Sequence, residues 1–168
     1  MCNRGCTRNL ADVRNRIEWV LLAYRLPREP SGPRVTVWRK LRRLGVAQLL
    51  DGLVALPADA GTREQLEWLA DEVLEAGGEA WVWLGRLGSA AQERGIARRM
   101  AEGVAADYEA VIAEAAAGAG ESEVVRRRMV ARLRRELHRI GRRDYFPPGE
   151  RDTARAAVED LAATVAAR

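Results

Sequence analysis

The chain has 168 residues, 48% of them hydrophobic and 31% charged, with a formal net charge of +4 at pH 7. That balance excludes a disordered segment, and the length suits one domain or a small domain with an extension. No apolar run approaches the roughly 20 residues of a bilayer span, and the opening MCNRGCTRNLADVRNR lacks the apolar stretch of a secretory leader, so the expected location is the cytoplasm, with no membrane partner.

Residues 1–16 read as a tail or a marginal helix. Their Cys2 and Cys6 are the only cysteines, and the single His138 is far away in sequence. Without further ligands this is a poor metal or redox site, so neither a metal nor another cofactor is expected. A strand follows from about Trp19 to Leu26, apolar on both alternating faces, as a strand covered on both sides would be. Pro27, Pro30, Gly32 and Pro33 break the chain. Ser31 then suits the N-cap of a helix that stops at Gly45. Val37, Trp38, Leu41 and Leu44 make the predicted core stripe of that helix, with Arg39, Lys40 and Arg43 facing away.

Val46–Leu50 and Leu53–Leu56 flank Asp51-Gly52, a strong hairpin signal. Thr62-Arg-Glu-Gln65 reads as a capping box launching a helix through Leu66, Leu69, Val73 and Leu74 to Gly77-Gly78. A fourth strand, Glu79 to Leu87, alternates Trp81 and Trp83 against Ala80, Val82 and Leu84. The order is βαββαβ, an α+β, ferredoxin-like plan. Helical periodicity then runs from Ser89 to about Ala117 and from Ser122 to Ile140, and an Ala-rich helix follows the turn Asp144–Gly149. The expected organisation is a tail at 1–16, a ferredoxin-like domain at 17–88 and a helical extension at 89–168 packing on it. Because strands one and four are apolar on both faces, the second sheet face is expected to be covered by protein.

The fourth helix carries the clearest charge pattern. Arg128, Arg132, Arg135, Arg139 and Arg142 are spaced by four, three, four and three residues, which puts them on one face, with Val130, Leu133, Leu137 and Ile140 on another. Lys40 is the only lysine of the chain, so these and most other cations are guanidinium forks suited to phosphate. Two readings stay open: a ridge that follows a nucleic-acid backbone, or a solvated face paired with acids such as Glu109 and Glu114 of the preceding helix. Arg39, Lys40 and Arg43 form a smaller cluster of the same kind. Around the start of the first helix, Arg25, Arg28, Ser31 and Arg34 suit an oxyanion, since a helix N-terminus offers free N–H groups, or else they are an ordinary cap among solvated arginines. Trp81 and Trp83 suit a core or an interface better than a base-stacking platform, as no RNP-like Gly-aromatic signature accompanies them. No Gly-x-Ser-x-Gly, P-loop or HExxH occurs, so no catalytic residue and no enzyme activity is expected.

The run VLLAYRLPREPSGPRVTVWRKLRRLG, followed by QLLDG, Leu56-Pro57 and REQLEWLADEVLEAGGEAWVW, resembles the N-terminal domain of ChrB-type chromate-resistance proteins. Asp107-Tyr108, Leu137–Ile140 and RRDYFP continue the likeness, over about residues 17 to 165. The resemblance implies a cytoplasmic, chromate-responsive regulator of an efflux operon whose N-terminal part contacts DNA. Such proteins carry a second, C-terminal domain, whereas this chain ends at Arg168, and its hairpin reads LVALP where the family tends to have an aromatic. The expected partners are therefore promoter DNA, chromate or another oxyanion, and a second copy of the chain. The alternatives are an oligomerisation module working beside a separate sensor, or a small oxyanion-binding stress protein.

Overall fold

Trp19–Arg25 forms strand β1 in the interior of a four-stranded antiparallel sheet in the computed structural model, which describes residues 16–166. The expectations for Cys2, Cys6 and the N-terminal tail fall outside those residues. After β1 come α1 (Ser31–Leu44), β2 (Ala47–Leu50), β3 (Leu53–Pro57), α2 (Ala60–Glu75), β4 (Glu79–Gly85), α3 (Ala90–Gly118), α4 (Glu123–Gly141) and α5 (Glu150–Ala166). The protein is thus α+β, with five helices among the described residues and the sheet order β2-β3-β1-β4. Its contacts divide into two units: residues up to Arg39 with Val46–Gly95, and Lys40–Gly45 with the residues from Ile96 onward.

In the first unit β1 is bonded on both sides, from Trp19↔Pro57 to Ala23↔Leu53 with β3 and from Trp19↔Gly85 to Arg25↔Glu79 with β4. A strand so placed needs apolar side chains on both faces, which WVLLAYR supplies. Asp51-Gly52 closes the β2–β3 hairpin, with Leu50 opposite Leu53. Gly52 alone of the pair takes a positive φ, +74°, and its carbonyl accepts a 2.7 Å hydrogen bond from the Tyr24 N–H. A Cβ there would run into the Tyr24 carbonyl, so only glycine fits.

One sheet face, carrying Val20, Leu22, Val54 and Leu56, packs with Leu66, Leu69 and Val73 of α2, which lies across β1 and β4. That helix begins earlier than the Thr-x-x-Gln reading suggests. Asp59 is its N-cap: the Asp59 carboxylate accepts from the Thr62 N–H at 2.7 Å, while the Thr62 hydroxyl accepts from the Asp59 N–H at 2.9 Å and donates to the Pro57 carbonyl at 2.8 Å. Asp-x-x-Thr satisfies the same reciprocal geometry one turn upstream, leaving Thr62 buried inside the helix. Asp59→Ala is expected to cost about 1 kcal/mol of stability, read by urea denaturation, as loss of a cap does.

Two apolar assignments change. Val37 and Leu41 of α1 are buried, but Trp38, one step round the helix, is 50% exposed. Ser31 is the first helical residue rather than the residue before the helix. On the second sheet face Trp19 and Ala55 are buried, whereas Trp81 and Trp83 are 58% and 45% exposed. The expected cover of that face is therefore incomplete at β4, and the two tryptophans are not core residues.

In the second unit, α3, α4 and α5 share one apolar cluster. Val104, Tyr108, Val111 and Ala115 meet Val130, Leu133 and Ile140, and Ala154, Val158 and Leu161 close it. Gly118 permits a close approach at the end of α3, because a Cβ there would collide with the Met129 sulfur. Lys40–Gly45 belongs to this unit. Gly45, at φ +69°, ends α1 with its Cα against the Arg143 backbone, and the Tyr145 hydroxyl donates to the Leu44 carbonyl at 3.1 Å. Among the described residues no helix is long and apolar enough to cross a membrane.

Candidate nucleic-acid interface

The geometry of α4 follows from its sequence spacing. At 100° per residue Arg128, Arg132, Arg135, Arg139 and Arg142 fall within an arc of about 80°. The buried Val130, Leu133 and Ile140 occupy the opposite side. Ser122 takes the N-cap position without a side-chain capping bond, and Arg142 is the C-cap, its N–H donating to the His138 carbonyl. The five arginines read from the sequence therefore do share a face, but they are not equivalent.

The flanks of α4 are tied down. Toward α3, Arg132 pairs with Glu114, and Arg143 pairs with Asp107 at 2.5 Å, the Arg143 side chain being only 19% exposed. Toward α5, Arg134 grips the Glu159 carboxylate through two nitrogens, at 3.1 and 2.7 Å. Along α4 itself, Arg127 pairs with Glu123 at 2.6 Å and Arg139 with Glu136. The hydrogen bonds from Arg139 hold the Glu136 carboxyl below the usual carboxylate range, against an opposing push from partial burial, with further help from the charges of Arg139, Arg143 and Arg132. Arg128, Arg135 and Arg142, along the crest, are exposed and have no ion pair among the described residues. Arg132 and Arg139 are thus paired with acids, while Arg128, Arg135 and Arg142 are exposed without an ion pair among the described residues.

The three open guanidiniums recur every seven residues, a rise of about 10.5 Å each. They form a line of forked donors on a helix docked through its buried Val130, Leu133 and Ile140. Such a line can hold anionic oxygens at intervals, but it reads no base identity. The remaining predicted cations lie on α1. Arg39 and Arg43 are exposed and Lys40 is half-buried; Lys40 and Arg43 belong to the same unit as α4, and Arg39 to the other.

The predicted oxyanion residues are mostly exposed, and one of them is already paired. Arg25 is held by Glu79, its register partner across β1 and β4, with both carboxylate oxygens 2.9 Å from one nitrogen. Arg28 is exposed in the loop before α1. Ser31 opens that helix, and Arg34, in its first turn, is exposed as well. Burial, and then Asp51, raise the Tyr24 pKa, and the charge of Arg34 partly offsets them.

Two adjacent contacts escaped the reading of local pattern. Asp107 holds Arg143, and Asp144 accepts from the Tyr108 hydroxyl at 2.9 Å. Both span 36 residues, so neighbouring residues of α3 grip neighbouring residues just past α4. Burial, reinforced by the hydrogen bond to Asp144, pushes the Tyr108 hydroxyl up to about 12. The only signal in the sequence was one pair of opposite charges, Asp107 and Arg143, with Tyr108 and Asp144 next to them at the same offset.

No curated protein and no solved structure matches the chain. One family model, described as protein ChrB, N-terminal, matches residues 34–126, from the first turn of α1 to the first turn of α4. That is more than half of the chain, and it takes in α1 with its cations and the Asp107-Tyr108 pair, while Arg128–Arg142 lies beyond it. The chain belongs to the ChrB N-terminal family.

Proposed function

We propose that the protein is a non-enzymatic, cytoplasmic transcriptional regulator of chromate resistance that binds DNA through α4. The sheet unit, with its βαββαβ element order, is read as ferredoxin-like, and the helical unit as the part that carries the nucleic-acid contact. The observation that carries this reading is the open crest Arg128, Arg135 and Arg142 on a helix braced by ion pairs to both neighbours. Arg39, Lys40 and Arg43 of α1 add a second basic strip. Family membership supplies the link to chromate. The alternative of an oxyanion site at Arg25, Arg28, Ser31 and Arg34 has less support, because Glu79 already neutralises Arg25.

The test is fluorescence anisotropy of the purified chain with its own upstream duplex and with a scrambled duplex, at several salt concentrations, with and without chromate. Three phosphate contacts give a slope of log affinity against log salt of about −2.7, since each contributes roughly −0.9. Tighter binding to the upstream duplex, relieved by chromate, is the expected result. Equal binding to both duplexes reduces the reading to a basic surface, and no binding at low salt removes it.

A further inference from the structure

The two edges of the sheet differ in kind. β2 is four residues long and carries a register shift between Gln48 and Leu50, so it is a poor template for another strand. β4 is seven residues long and pairs regularly with β1 throughout. It has no charge between Ala80 and Gly85, and no strand lies outside it among the described residues. None of the usual guards of an edge, a bulge, a proline or an inward-facing charge, is present. Trp81 and Trp83 share the less covered face with Ala23 and Leu21, their register partners in β1, and Leu84 on the other face is exposed too.

We propose that β4 is the seam of a homodimer, in which a second copy of β4 pairs with it antiparallel about a two-fold axis at Val82. The side-chain pattern selects this occupant. EAWVWLG is symmetric in character about Val82, with Trp81 and Trp83 one step to either side and Ala80 and Leu84 two steps away. An antiparallel copy centred there sets Trp81 opposite the second Trp83, and Trp83 opposite the second Trp81, on one face. Cross-strand aromatic pairs of this kind are among the favourable units of a sheet. The result is a continuous eight-stranded sheet with the four tryptophans in one row. An isologous contact of this kind closes on itself and does not propagate.

The experiment is sedimentation velocity of the full chain over a range of concentrations, alongside Trp81→Lys/Trp83→Lys, with circular dichroism to show that both fold. The wild type is expected to pass from monomer to dimer as concentration rises, and the double variant to stay monomeric at the highest concentration used. A second measurement does not depend on that variant folding. With Cys2→Ser and Cys6→Ser removing the other thiols, Val82→Cys is expected to cross-link to itself on oxidation, since directly opposed residues have Cα atoms within disulfide range. Glu64→Cys on the exposed side of α2, in the same background, is expected not to. A wild type that remains monomeric, a folded double variant that dimerises as the wild type does, or a Val82→Cys chain that cross-links no better than Glu64→Cys overturns the proposal.

Discussion

Replacing Arg128, Arg135 and Arg142 together with glutamine is expected to weaken DNA binding on the order of a hundredfold at about 0.1 M salt and to flatten the salt slope by about three units. The same number of charges removed elsewhere on α4, as Arg127→Gln/Arg132→Gln/Arg134→Gln, provides the contrast. Those three side chains are engaged by Glu123, Glu114 and Glu159. Their loss changes the net charge equally, so a purely global electrostatic effect predicts equal weakening. A local contact predicts that the crest variant loses affinity and slope. The flank variant then keeps most of the slope and loses a few tenths of a kcal/mol of stability per exposed pair. Anisotropy titrations at three salt concentrations and a denaturation curve for each variant decide between them. Equal affinity losses in the two variants would remove α4's crest as the contact surface. The contrast could not be designed from spacing alone, because Arg132 and Arg139 belong to the same arc as the open three and differ only in having acidic neighbours.

Tyr108→Phe is expected to lower stability by about 1–3 kcal/mol at neutral pH, the range for a buried hydrogen bond to a charged acceptor. The ring stays, so no cavity forms. Asp144 loses the donor to Oδ2, while its buried Oδ1 has no hydrogen-bond donor among the described residues. The pH dependence follows from the raised pKa of the hydroxyl. Its folded value of about 12 lies above the ordinary 10, so the neutral phenol is the form that folding favours. That contribution is complete below pH 10 and is lost as pH rises from there toward 12. The wild type should therefore lose stability across that window more steeply than Tyr108→Phe, which has no such group, and urea denaturation at pH 7, 10 and 11.5 measures it. Coincident curves for the two proteins would show that the bond to Asp144 contributes nothing.

Much of the sheet unit was legible because its signals are local. A central strand shows itself by apolar residues on both faces, as Trp19–Arg25 does, and a tight hairpin by Asp51-Gly52. The face of α4 was legible for the same reason, since side-chain direction follows from residue spacing. What local pattern could not supply was pairing at a distance. Glu114 lies 18 residues from Arg132 and Glu159 lies 25 from Arg134, and which arginine each acid reaches depends on how the helices pack. Trp38 illustrates the same limit, for its apolar character placed it in a stripe that Val37 and Leu41 alone bury. The cap of α2 was missed for a different reason: two overlapping stretches, Asp59–Thr62 and Thr62–Gln65, both fit one motif, and the choice depends on where Pro57 leaves the chain.

The contact between the end of α1 and the turn after α4 bears on how the protein is made. The Tyr145 hydroxyl reaches the Leu44 carbonyl across 101 residues, and Gly45 lies against Arg143. On a ribosome, the last turn of α1 emerges long before the residues that will hold it. Closing so long a loop costs entropy that only a nearly complete chain can recover, so this contact belongs late in the folding sequence. The helical unit is discontinuous in the gene product, and a fragment beginning at Ile96 lacks Lys40–Gly45, the segment that fills the space beside Arg143 and Tyr145.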